Sequence, residues 1–421
     1  MKPGMSAPVQ RGPEGPDAAR ARLAEQLRGS GRAVSQAVQA AFLAVPRHLF
    51  LPEMPPAAAY EDEAFVIKSG ADGLPVSSSS QPAIMAIMLE QLGLEPGHRV
   101  LEIGTGTGYN AALMAHIVGD QAAVVSVDID AEIVERARAS LAVAGYGGIR
   151  ISCGDGGFGV AAHAPYDRII VTAGAWSLAP DWLAQLTAGG RIVLPLSVRG
   201  IQLSVAFDAV PGYFASTSAC RCGFIRMAGA FAGPESFVPL GPGWFVQADD
   251  GRALDTDGLY GALTGPATDV TADVAVPGMQ VLSDADLWLT LTEARLTRLT
   301  LMDSSVARTG RSALMPLGGL ADASPGVRPA ELAAAGLFPA VKSRPEAAGE
   351  TQVVVRGYGQ GGAALARHLA GQVQAWDGLG RPGAGQVSMR AFRPDAELVV
   401  SAGQVILDRG AIRLVVGWPV H

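Results

Sequence analysis

Three acidic residues stand at the ends of successive apolar runs around a glycine turn, and their chemistry sets the first expectation. The run Val100 to Tyr109, VLEIGTGTGY, leads an apolar stretch into Gly104-Thr105-Gly106-Thr107-Gly108. Missing side chains there let the backbone approach a ligand and turn sharply into a helix. Glu102, inside the strand end, repels the pyrophosphate of a dinucleotide and suits the cationic methionine portion of S-adenosylmethionine. Asp128, in SVDID beside Ile129, stands at the end of the next expected strand, where a carboxylate can accept both ribose hydroxyls. Asp155, between Gly154 and Gly156 after a third run, can face the adenine amino group. Taken singly, Asp128 or Asp130 can cap a helix and Asp155 can serve a turn. Taken together, Glu102, Gly104, Thr105, Gly106, Gly108, Tyr109, Asp128, Ile129, Gly154, Asp155 and Gly156 predict a site for S-adenosylmethionine.

The elements that must position this set alternate in period. From His98 to Phe207 the pattern predicts strands at 99–103, 123–127, 149–153, 167–172, 190–195 and 201–207, with helices at 109–118, 131–143 and 179–186. Strands alternating with helices imply a parallel sheet covered on both faces, a Rossmann-like α/β domain. Ahead of it, Met1 to Pro16 reads as a loose leader. Asp17 is expected to cap a helix through Leu23 and Leu27, and a second helix from Ser35 carries Val38, Phe42 and Val45 before Pro46 stops it. Pro75 to Gln81 reads as a polar loop and Pro82 to Leu92 as a helix with proline in its first turn. Beyond Ala219 the texture shifts to short β-rich runs such as Thr271 to Val276 and Asp286 to Thr292. A strand Gln352 to Arg356, a helix Ala363 to Trp376 and late strands near Leu398 to Val400 and Ile412 to Val416 complete an α+β pattern, with loops such as Gly318 to Pro329. The expected organisation is therefore a leader at 1–16, a helical cap with a methyltransferase domain at 17–218, and a C-terminal α+β substrate-recognition domain at 219–421.

Composition narrows the alternatives. A chain of 421 residues, 49% hydrophobic and 17% charged, has the material for two packed domains and not for extended disorder. The formal net charge of -7 argues against a nucleic-acid partner. Cys153, Cys220 and Cys222 cannot build a disulfide framework, and neither an N-terminal apolar core nor a membrane-length apolar run is present, so a cytoplasmic protein with no membrane partner is expected. Cys220-x-Cys222 lacks a second pair, and His48, His98, His116, His163, His368 and His421 form no ligand pattern, so no metal is expected. Gly357-Tyr358-Gly359-Gln360-Gly361-Gly362 fits a dinucleotide fingerprint, but Asp377 lies in a glycine-rich turn, which favours a structural turn.

Several of these segments resemble one family. VPRHLFLP, SSSQP, VLEIGTGTGYNAALMA, GDG, YDRIIVTAGA and AGGRIVLPL follow the order and spacing of protein L-isoaspartate O-methyltransferases over approximately residues 35 to 207. The resemblance implies methylation of an aspartate-derived carboxylate in a peptide or protein, with Ser80 as the catalytic residue beside the acceptor. Ser79, Gln81, Tyr60, Trp176 and His48 are the expected substrate contacts. The chain departs from the family where Ala59-Tyr60-Glu61-Asp62-Glu63-Ala64-Phe65 replaces an AYxDxPLPIG-like segment, where Trp176 follows VTAGA, and in its long C-terminal half. This architecture resembles the branch that tailors ribosomally made peptides such as lanthipeptides, lasso peptides and graspetides, which implies a cyclised precursor peptide as partner and an aspartimide or isoaspartate product. Recognition of the peptide is then expected to begin near Cys220 to Gly229. General repair of isoaspartyl proteins is the second reading and a small-molecule methyltransferase the third; a nucleic-acid methyltransferase and a noncatalytic binding subunit rank below them. The oligomeric state stays open.

Overall fold

A computed structural model describes residues 15–71, 73–241, 244–248, 250–251, 253–277, 279–293, 296–301, 315–321, 332–336, 351–359 and 361–418. Most of the expected leader, residues 1–14, lies outside this set, as does His421. The chain divides into two compact units. The first comprises Met1–Ala173, Ala179–Leu194 and Phe224–Ala230; the second comprises Gly174–Leu178, Pro195–Gly223 and Phe231–His421. The chain passes between units more than once, which a change of texture at Ala219 cannot reveal.

The first unit opens with helices α1 (Pro16–Gly29) and α2 (Gln36–Ala44). Asp17 is not the cap of α1: Gly15 holds that position and Pro16 starts the helix, leaving Asp17 in the first turn, where its charge still favours the helix dipole. Ser35 does cap α2, its Oγ accepting from the Val38 N–H at 3.3 Å. Strands β1 (Phe65–Ser69) and β2 (Pro75–Ser79) then form an antiparallel hairpin that sets Phe65 opposite Ser79. This corrects the loop expected at Pro75 to Gln81. Backbone pairing to β1 makes the strand, and a serine run carries no apolar alternation to announce it.

Helix α3 (Pro82–Leu92) leads into β3 (Val100–Ile103), α4 (Tyr109–Val118), β4 (Val124–Asp128), α5 (Ala131–Val143), β5 (Arg150–Cys153), β6 (Tyr166–Val171), α6 (Pro180–Ala184) and β7 (Leu186–Val198). Within this unit the strands run in the order β5-β4-β3-β6-β7, all parallel. Val100, Leu101, Ile103, Val124, Val125, Val127, Ile169 and Ile170 are buried, as a sheet covered on both faces requires. Strand order reverses where β3 lies between β4 and β6, and the carboxyl ends there open a crevice, the place where ligands bind in doubly wound sheets. The expected helix at 179–186 is shorter, because Leu186 already begins β7.

In the second unit, β8 (Ile201–Val210) and β9 (Tyr213–Cys222) pair antiparallel, and strands Ser388–Phe392, Arg413–Gly417 and Gln404–Asp408 continue from β9 in that order. Seven further described strands form an antiparallel sheet from Ser236–Gly241 to Ala267–Val276, with helix Gly362–Gly378 burying Leu369, Val373 and Trp376 against Ala272, Val274 and Val353. Three expectations fail here. Asp286 to Thr292 belongs to helix Met279–Thr292, its Leu-Trp-Leu-Thr-Leu alternation arising because nearly every side of that segment is buried. No strand forms at Leu398 to Val400; Gln404–Asp408 takes the place beside Arg413–Gly417. Gly318 to Ala321 ends strand Met315–Ala321, while 322–329 lie outside the described residues. The glycine fingerprint at 357–362 serves packing: a Cβ on Gly357 would sit 1.9 Å from the Gly362 carbonyl oxygen, and among the described residues the strand carrying Gly357 has only antiparallel neighbours. No described helix is long and apolar enough to cross a membrane.

Candidate active site

The crevice at the end of β3 holds the glycine turn. Gly104 adopts φ +99°, and a Cβ there would lie 2.6 Å from Thr172 Oγ1, so only glycine fits. Its carbonyl accepts from that hydroxyl at 2.7 Å and its N–H donates to Val127 at 2.8 Å, which fixes the turn between β4 and β6. Gly108 caps α4 and packs on Leu141 of α5.

Glu102 lies fully buried at the floor of the crevice. Its carboxylate accepts from Asn110 Nδ2 at 2.8 Å and from Ser126 Oγ at 2.6 Å, and Thr105 Oγ1 lies 2.7 Å from Ser126 Oγ. Burial pushes the Glu102 carboxyl up to about 7 against the opposing pull of those two hydrogen bonds, with Asp128 adding to the rise. Its hydrogen-bond partners are neutral, so a buried anion facing a cleft is available to a cationic ligand group. Asp128 turns one oxygen to the Gly106 N–H at 3.1 Å and the other to the Asp130 N–H at 3.1 Å. Asp130 performs the capping of α5, accepting from Glu132 and Ile133, and pairs with Lys68 at 2.7 Å. The division of labour between the two aspartates leaves Asp128 on the cleft wall.

The cleft encloses about 1050 Å³ including its open mouth. Of the residues expected from sequence, Ser79, Ser80, Glu102, Gly104, Thr105, Gly106, Asp128, Ile129 and Gly156 line it. The others are placed differently. Tyr109 points its ring into the core against Phe42 and Phe50, where burial raises its phenol. Gly154 contributes its N–H to the Asp128 carbonyl at 2.9 Å. Asp155 accepts from Gly157 N at 2.9 Å and from Ala230 N at 2.7 Å, one backbone N–H on each oxygen. Gln81 donates to the Asp62 carbonyl at 3.0 Å. His48 Nδ1 and Tyr60 Oη lie 2.8 Å apart in the helical cap, and burial, with Arg20, holds the imidazole below its ordinary range. Trp176 belongs to the second unit, where the Arg409 guanidinium lies 4.5 Å from its ring centroid.

Several contributors were not expected as cleft residues, although Arg47 lies in VPRHLFLP and Phe224 to Ala228 within the Cys220 to Gly229 segment expected to begin peptide recognition. Arg47 is completely buried and donates to the carbonyls of Glu61 at 3.1 Å, Glu63 at 3.3 Å and Ser80 at 3.0 Å, and to Ser79 Oγ at 3.4 Å. Asp62 Oδ1 accepts from Ala83 N at 2.8 Å, fastening the start of α3. The side chains of Met85, Met88 and Ile170, and the segment Phe224 to Ala228, complete the cleft walls. VPRHLFLP flagged Arg47 by motif, but nothing local tells that an arginine will be buried among carbonyls.

The parallel sheet, the strained glycine turn and the buried acid at its floor define a mixed α/β fold of the S-adenosylmethionine-dependent methyltransferase type. The model of the protein-L-isoaspartate(D-aspartate) O-methyltransferase family matches residues 18–231, and the chain belongs to that family of enzymes. Among its relatives is a protein-L-isoaspartate O-methyltransferase of Thermotoga maritima, 42% identical over 174 residues, or 41% of this chain. The match spans 55% of that protein's length. A second, from Methanopyrus kandleri, is 38% identical over 222 residues, taking in 96% of that protein and 52% of this chain. A solved structure named protein-L-isoaspartate O-methyltransferase covers 88% of this chain and is covered to 96%, at 25% identity and a TM-score of 0.48.

Proposed function

We propose that this chain transfers a methyl group from S-adenosylmethionine to an aspartate-derived side-chain carboxylate in a peptide or protein. The observation that carries the reading is that the serine edge Ser77 to Ser80 and the floor of Glu102, Gly106 and Asp128 line one cleft. S-adenosylmethionine supplies, when bound, an electrophilic methyl group on a sulfonium sulfur. Glu102 balances the positive charge of the donor's methionine portion, Asp128 accepts from its ribose, and the glycine turn admits it close to the backbone. An acceptor carboxylate, with a reference pKa of about 4, is already ionised at neutral pH and needs no general base. Ser80 donates its hydroxyl to one carboxylate oxygen and leaves the other free to attack, which makes positioning the main catalytic task. Arg47 fixes the Ser80 carbonyl and so the stretch of backbone that carries that hydroxyl.

Ser80→Ala is therefore expected to lower kcat roughly 10- to 100-fold, as loss of an orienting hydrogen bond does, with donor affinity unchanged by calorimetry. Wild-type turnover in that variant would count against the assignment.

The finer reading is that the acceptor is an aspartate of a modified, ribosomally made peptide. The reading draws on the part of the chain beyond the Methanopyrus match as the place where a dedicated peptide would be recognised; the Thermotoga relative also extends beyond its match, so general repair is equally consistent with the length of the chain. In that reading the methyl ester is attacked by the following backbone nitrogen, methanol leaves, and an aspartimide forms; water then opens it to isoaspartate. A cyclised precursor peptide and a linear isoaspartyl peptide, offered separately and followed by mass spectrometry, decide between tailoring and repair. Gain of a methyl group followed by loss of methanol on the cyclised peptide alone supports tailoring, and activity on the linear isoaspartyl peptide alone supports repair.

A further inference from the structure

Between Gly223 and Phe231 the chain leaves the second unit and lays Phe224–Ala230 onto the first. Phe224, Ile225, Met227 and Ala228 line the cleft that also holds Glu102 and Asp128. The strap ends on Asp155: Ala230 N donates to Oδ2 at 2.7 Å, while Oδ1 accepts from Gly157 N at 2.9 Å. Gly229, at φ +92°, presses so close that a Cβ would lie 2.4 Å from Oδ2. One carboxylate thus ties the turn after β5 to the strap.

We propose that Phe224–Ala230 is a closing strap over the donor cleft, latched by Asp155 to the backbone of Gly229 and Ala230, and that its opening sets the release of donor product. The proposal rests on reading the cleft as the donor site. Phe224, Ile225 and Met227 supply an apolar wall that excludes water from the reacting groups, a role that demands closure during transfer. The hold on Asp155 is a solvent-exposed backbone hydrogen bond to a carboxylate, local enough to break without unfolding the sheet. Glycine at 229 is what permits the approach, so a single methyl group there removes the latch while leaving Asp155 in place.

Hydrogen exchange and stopped-flow release of S-adenosylhomocysteine test this. In the wild type, bound S-adenosylhomocysteine is expected to slow exchange across 224–230. Gly229→Ala is expected to speed its release roughly tenfold or more, the loss of one charge-assisted hydrogen bond. Gly212→Ala, at φ +91° with open space around it, is the control and should release at the wild-type rate. Binding by the wild type without slower exchange at 224–230, or unchanged release from a folded Gly229→Ala variant, overturns the strap while leaving the donor site standing. Failure of the wild type to bind S-adenosylhomocysteine overturns both. The exchange arm needs no variant, so it decides even if Gly229→Ala does not fold.

Discussion

Replacing Glu102 with glutamine is expected to weaken S-adenosylmethionine binding roughly 10- to 100-fold, the scale of a lost charge-assisted interaction in a dry site, while making the free protein more stable above neutral pH. The two effects have one origin. Glu102 is fully buried, and burial pushes its carboxyl up to about 7. A carboxyl whose folded value lies above its unfolded value favours the folded state while it is protonated. That contribution is whole at acid pH, declines as pH rises past the unfolded value, and is gone above about 7. Glutamine keeps the shape and stays neutral, so the decline disappears. Donor binding has the opposite slope, because a cationic ligand selects the ionised form. Wild-type affinity should rise with pH up to about 7, with proton release on binding below it. Calorimetry in buffers of different ionisation enthalpy measures that release, and thermal melts from pH 5 to 8 measure the stability. Equal donor affinity in the glutamine variant would remove Glu102 from the site.

Arg47→Met is expected to destabilise the first unit by about 3 kcal/mol, because three partly buried carbonyls and the buried Ser79 hydroxyl lose their donor together. The guanidinium has no exposed surface and lies 5.4 Å from the Phe65 ring and 5.7 Å from that of Tyr109. Burial pulls it down to about 10, which still leaves it charged at neutral pH. Methionine fills much of the volume and none of the hydrogen bonds. Since Arg47 holds Glu61, Glu63 and Ser80 in one arrangement, any folded Arg47→Met protein should lose turnover more than donor affinity. Arg47→Lys keeps the charge without the planar fork and should fall between. Urea denaturation and a comparison of kcat with donor Kd check these points; a variant as stable as the wild type would mean that those bonds contribute little.

The parts of the fold legible in the sequence are those whose cause is local. VLEIGTGTGY carries both strand and turn in consecutive residues, and the buried parallel strands read as apolar runs because both faces of the sheet are covered. What stayed hidden is held by distant partners. Asp155 reads as a ligand residue, and nothing near it in the chain announces that Ala230, 75 positions away, supplies an N–H to it. Ser77 to Ser79 read as loop because their strand is made by pairing with β1 and not by their side chains. Leu287-Trp288-Leu289-Thr290-Leu291 alternates like a strand, yet Thr290 is as buried as its neighbours and its hydroxyl donates to the Asp286 carbonyl one turn back, at 2.7 Å. The glycine turn was legible because its backbone conformation is written in consecutive residues, and the place of Arg47 was not, because its long side chain reaches across the chain.

The most direct measurement follows an isotopically labelled methyl group from S-adenosylmethionine into a peptide that carries a single isoaspartyl or cyclised aspartyl acceptor. A carboxyl ester is predicted: label on the free carboxyl of the acceptor residue, released as methanol at mildly alkaline pH, and incorporated more slowly by the Ser80→Ala and Glu102→Gln proteins. Label that stays on the peptide through alkali, or no transfer to either acceptor by protein that binds the donor, would contradict carboxyl methylation.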